Sequence, residues 1–158
     1  MWTTLIAVVG TLAGAGLGTL AQRSAERDAR TERHHQQVIQ ALTSLLEAIL
    51  RFRENYWLGI ARLRANLQAP SDPETEYRLR SNITIARDHL ALVAHGTALP
   101  ALGEAAAWAA ITLSEIPLST PVDGRFDPAT ETALATARDH SRDTHTALRE
   151  AGSTYLNT

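Results

Sequence analysis

The chain of 158 residues has no cysteine and no lysine, and only 5% of it is aromatic. The missing thiols exclude disulfides, thiol catalysis and cysteine-based zinc or iron–sulfur sites. With so few rings, a core must be built mostly from Leu, Ile, Val and Ala, within a hydrophobic fraction of 44%. All fifteen basic residues are arginine, a bias that fits a GC-rich genome better than a physical requirement. Formal net charge is −2, so no global basic field points to nucleic acid as the main partner. Strand signals are missing too, as are GxxxxGK[ST], HExxH and a post-strand GxGxxG. What remains is helical pattern, on a length that suits one domain with a real core.

No residue from Trp2 to Gln22 is charged, and Leu5 to Leu20 is apolar except for Thr11, Thr19 and glycines. About 20 such residues, at a rise of ~1.5 Å each, cover the ~30 Å hydrocarbon layer of a bilayer. Trp2 sits where an interfacial anchor would. A buried core helix and a cleaved signal peptide are the alternatives; "TLA" at 19–21 suits cleavage, but no arginine precedes the run. The expectation is a transmembrane helix over 1–21. Arg23, Arg27, Arg30 and Arg33 all follow it, so the positive-inside rule places the N-terminus outside and the C-terminal part in the cytoplasm. Gly10, Gly14 and Gly18 recur every fourth residue and share one face, with Ala7 extending it. In lipid, helices associate through small residues that let backbones touch, so this face predicts a homo-oligomer.

Residues 22–37 contain no large apolar residue, Gly or Pro, and predict a polar helical stalk in which Glu26 and Arg30 pair at i,i+4. From 38 to 158 four amphipathic segments predict a cytoplasmic four-helix bundle. The first carries Leu42, Ile49, Tyr56 and Leu63 at seven-residue intervals, joined by Leu45, Leu46, Phe52, Ile60 and Leu67. The second is expected over 73–95, with Ser71 or Asp72 as cap and Ser71 with Glu74 as a capping box. The third, over 99–116, is apolar on two sides, with Trp108 and Ile111 on one of them. It is either the innermost helix or part of an oligomer contact. Asp127 caps the fourth, which is expected to run to Ala151 with Gly152 beyond it. Leu134, Ala137, Ser141, Thr144 and Leu148 face inward.

The search for chemistry is mostly negative. His34–His35, His89 with His95, and His140 with His145 miss the i,i+3 or i,i+4 spacing of helical metal ligands. Glu32 with His35 and Asp139 with Asp143 match it, in stretches that read as solvated. Asp139, His140 and Ser141 leave a helix about 100° apart, whereas a nucleophile and its base must face each other. Asn82–Thr84 matches a glycosylation acceptor, best explained by chance. Arg51 and Arg62 share one side of the first bundle helix and Arg53 and Arg64 another, beside Phe52, Tyr56 and Trp57. Such residues can grip nucleic acid. The preferred reading lays their stems along the core boundary and pairs them with acids, so direct nucleic-acid binding is not expected. Arg51, Arg62 and Trp108 are the candidate partner contacts.

The N-terminal pattern from Met1 to Arg33, followed by a helical segment holding "ENYWL" at 54–58, resembles the KilB-like spread proteins of actinomycete conjugative plasmids. The resemblance covers the first ~60 residues and the general layout. It implies an integral membrane protein that helps transferred plasmid move between mycelial compartments, alongside DNA-translocation machinery. No catalytic residue or cofactor is carried over by it. The combined expectation is a non-enzymatic, single-span, self-associating protein whose bundle meets partners. The alternative is a soluble or peripheral helical binding module without a true span.

Overall fold

The computed structural model describes the backbone of residues 2–67 and 72–157, and side chains over 26–67 and 72–157. Among the described residues it is all-helical, with α1 (Trp2–Arg64), α2 (Pro73–Val93), α3 (Leu99–Ile111) and α4 (Pro128–Leu156). Two compact units divide the chain, Met1–Gln37 and Val38–Thr158.

In the first unit, Gly10, Gly14, Gly18 and Arg23 lie outside the residues whose side chains are described, as does the expected span over 1–21. Among the described residues no helix is long and apolar enough to cross a membrane. From 26 to 37 the helix is mostly exposed, Arg27, Arg30 and Arg33 included. Arg30 lies 3.9 Å from Glu26, the pair expected at i,i+4. At such exposure the pair contributes about 0.3–0.5 kcal/mol.

The second unit is a helical bundle. Val38, Leu45, Ile49 and Phe52 of α1 meet Ile83 and Leu90 of α2, Leu99 and Ala106 of α3, and Leu148 of α4. A smaller cluster further along α1 joins Ile60 to Phe126 and Leu134, with Tyr56, Trp57 and Leu63 at its edge. The seven-residue stripe is therefore the buried face, but it runs out sooner than expected. Leu67, counted with it, is 60% exposed. The chain has already turned there. Asn66 adopts a left-handed φ of 55°, the Leu67 amide donates to the Arg62 carbonyl (3.0 Å) and the Asn66 amide to that of Leu63 (3.0 Å). That is the hydrogen-bond pattern of a Schellman end, with Asn in the place usually held by Gly.

Asp72 caps α2, accepting from the Thr75 amide at 3.2 Å, and Pro73 occupies the first turn, where its missing N–H costs nothing. Ser71, the other candidate cap, lies outside the described residues. The helix stops at Val93, two residues before the expected end. Gly96 turns the chain at φ 83°, and Thr97 donates to the Ala94 carbonyl while accepting from the Leu99 amide. So short a link makes α2 and α3 an antiparallel hairpin.

The two-sided apolarity of α3 resolves in favour of an innermost helix. Leu99, Gly103, Ala106, Ala107, Ala109, Ala110 and Ile111 are all buried. Trp108 alone of the large apolar residues on this helix turns outward, 49% exposed. The α-helix ends at Ile111 rather than 116, and Thr112–Glu115 tightens into a 3-10 turn. Gly103 makes the close packing feasible. A β-carbon there would come within 2.9 Å of Leu90 Cδ2 and 3.0 Å of Leu45 Cδ2, both on fully buried side chains. Gly103→Val is accordingly expected to destabilise the bundle by about 1–3 kcal/mol, read as a lower thermal midpoint with helicity retained.

The 116–127 connection is docked. Val122 and Arg125 exchange backbone hydrogen bonds of 2.8 and 3.0 Å across Asp123 and Gly124, both at positive φ, a tight primed turn. Asp127 then caps α4 through the Ala129 and Thr130 amides (2.9 and 3.1 Å). Hydrogen bonds from the Ser119 hydroxyl, then from Thr130, hold the Asp127 carboxyl below the usual carboxylate range. Leu134, Ser141 and Leu148 of α4 are buried as expected. Gly152 is not the stop that its type and place suggest. α4 continues to Leu156, and Gly152 is buried against Leu42, whose side chain leaves no room for a β-carbon. The glycine serves helix packing, not termination.

Candidate functional site

Residues 51–64 of α1 send arginines in two directions. Arg51 pairs with Glu47 one turn back and lines a groove of about 340 Å³ between α1 and α2, with Asn82, Ile85 and His89 opposite. Arg62 is exposed near the end of α1, and Trp108 lies on α3. Among the described residues, no hydrogen bond or ion pair links any two of Arg51, Arg62 and Trp108. They are separate surface features.

The other pair faces α4. Arg64 reaches Glu131 Oε2 at 2.6 Å, and its guanidinium lies 5.5 Å from the centre of the Phe126 ring. Glu131 Oε1 accepts from the Phe126 amide at 3.1 Å, so that carboxylate is fully engaged. This is the pairing with an acid on a neighbouring helix that the arginine pattern predicts. Arg53 differs. It is half-buried, its Nε, like that of Arg64, is buried without a hydrogen-bond partner, and no carboxylate pairs with it among the described residues. Burial, then the nearby Arg142, lowers its pKa from the ordinary arginine value.

Arg53, Trp57 and Arg64 of α1 and Arg138 and Arg142 of α4 line a groove of about 350 Å³. Spacings of four, three and four put Arg138, Arg142, His145 and Arg149 along one edge of α4. Burial, then Arg53 and Arg149, lowers the His145 pKa, which disfavours the charged imidazolium beside the arginines. Arg138 is held at 3.3 Å by Asp139. Trp57 packs edge-on against Tyr56, ring centres 5.4 Å apart at 75°. The Tyr56 hydroxyl is buried without a partner, and burial, then Glu76, pushes its pKa up to about 12.

In the 139–145 stretch the sequence draws attention to Asp139, His140 and Ser141, whereas Arg142 is marked only by its helical spacing from Arg138 and Arg149. In the structure Asp139 and His140 are exposed while Ser141 is fully buried, so the three do not converge. Among the described residues no three His, Asp or Glu side chains gather into a set able to hold a metal.

Fold and surface together define an all-α helical-bundle protein with arginine-lined grooves. The chain belongs to the KilB plasmid transfer protein family, whose match runs over residues 39–156. It is also 41% identical over 58 residues to protein KilB of Streptomyces lividans, a match that covers 37% of this chain and 40% of that protein. The aligned part thus spans about two fifths of the relative's length. No solved structure matches the chain. The family match covers the bundle, whereas the resemblance in the sequence runs from Met1 to Leu58 and overlaps it only in the first helix.

Proposed function

We propose that the chain is a non-enzymatic, single-span membrane protein that acts as an accessory factor in conjugative plasmid spread. The family match over 39–156 carries this reading. The uncharged run from Trp2 to Gln22 supports the membrane assignment, since its length and composition suit a bilayer span. In this reading Gly10, Gly14 and Gly18 bring copies together in the membrane. The bundle is presented to DNA-translocation machinery on the cytoplasmic side, with Arg51, Arg62 and Trp108 exposed for contact.

The arginines at 23, 27, 30 and 33 provide the topological test. A reporter that is active only in the cytoplasm, fused after Thr158, is expected to be active. The protein itself is expected to resist extraction by alkaline carbonate. Reporter activity on the outer side would reverse the orientation. Release by carbonate would favour a peripheral module and discard the span.

A further inference from the structure

Arg53 and Arg142 both line the α1/α4 groove, and among the described residues neither is paired with an acid. Of the other charges at the groove, Arg64 is paired with Glu131, and Arg138 is paired with Asp139. Two positive charges are left over, in a chain whose formal net charge is −2. One of the two guanidiniums is partly withdrawn from water, with a buried Nε lacking any acceptor. A buried donor without an acceptor carries its full desolvation cost, and like charges at close range add repulsion. An oxyanion in the groove offsets the repulsion between the two guanidiniums.

The geometry points to the α1/α4 groove as a binding site for a phosphate dianion, held between Arg53 and Arg142, with Trp57 as its wall. Charge balance selects the ligand class. A carboxylate or an internal phosphodiester brings one negative charge, whereas a terminal phosphate brings about −1.5 to −2 at neutral pH. Guanidinium forks also match phosphate oxygens two at a time. At about 350 Å³ the groove lies at the small end of ligand sites, which run from roughly 300 to 1,000 Å³. Inorganic phosphate and the phosphomonoester of a small molecule share the required chemistry.

The test uses the purified full chain, titrated calorimetrically with inorganic phosphate at constant ionic strength in chloride. Saturable binding to one site per chain is expected. Arg142→Gln should weaken it at least about tenfold, since a hydrogen bond to a charged group contributes ~1.5–3 kcal/mol. Arg142 is exposed, so this variant should keep the wild-type melting temperature or exceed it in chloride, where only repulsion has been removed. Arg51→Gln, in the other groove, should bind phosphate as the wild type does. Adenosine monophosphate distinguishes the sources. If it binds more tightly than inorganic phosphate, the natural ligand is a phosphomonoester; equal or weaker binding leaves free phosphate. A thymidine oligonucleotide without terminal phosphates should not displace either. The proposal is overturned by absence of phosphate binding, by equal binding in wild type and Arg142→Gln, by equal loss in Arg51→Gln, or by displacement with the oligonucleotide. None of these readouts depends on a membrane span or on plasmid transfer.

Discussion

Ile49→Asp is expected to abolish the cooperative melting of the 38–158 bundle, whereas Leu46→Asp should only lower its midpoint. Both residues belong to the same amphipathic stripe, and from the sequence alone either would serve as a core position. They differ in the packed molecule. Ile49 is fully buried within the main cluster, while Leu46 is half-buried at its margin. An unpaired carboxylate at 49 has no route to water, so it must ionise in an apolar site or take up a proton. Either course adds to the lost apolar packing, for a total of roughly 4 kcal/mol or more. A domain of this size is stabilised by only about 5–15 kcal/mol. At position 46 the carboxylate can turn outward, and about 1–2 kcal/mol is the expected loss. Circular dichroism of the fragment during heating distinguishes the two. A cooperative transition retained by Ile49→Asp, or an equal effect of both variants, would contradict the packing described.

Gly14→Ile is expected to remove most of the self-association of the 1–37 segment in a membrane while leaving its insertion intact. Gly10, Gly14 and Gly18 recur every fourth residue, which aligns them on one helical face. In lipid, hydrophobic burial provides no drive for helices to meet. Contact depends on close van der Waals approach between backbones, which a branched side chain at the central position prevents. Isoleucine raises the apolarity of the segment, so any loss of association cannot be assigned to failed insertion. Gly16→Ile is the control, because two residues of helix rotate it about 200° away from Gly14. An in-membrane dimerisation reporter, with cross-linking as the second measurement, reads both variants. Equal losses, or none in either, would remove the glycine face as the basis of a homo-oligomer.

Much of the bundle was legible in the sequence because helix formation is written locally. Apolar residues at three- and four-residue spacing marked the inward faces of α1, α2 and α4, and Asp127 announced its own cap. Other features needed the tertiary structure. Whether α3 is central or half-exposed cannot be read from a helix apolar on two sides; it depends on which neighbours cover it. Gly103 and Gly152 resemble a dispensable residue and a stop signal, yet each is set by the leucines of other helices that leave no room for a β-carbon. The arginines divide in the same way. Their spacing on α1 showed that Arg53 and Arg64 share a side, a property of one helix. That Glu131 neutralises Arg64 while Arg142 comes near Arg53 follows from the packing of α4 against α1. By itself the sequence determined the helices, their inward faces and the uncharged N-terminal run, since each depends on residues a few positions apart. Only the tertiary structure decided which charges meet, because the partners lie some seventy to ninety residues apart along the chain.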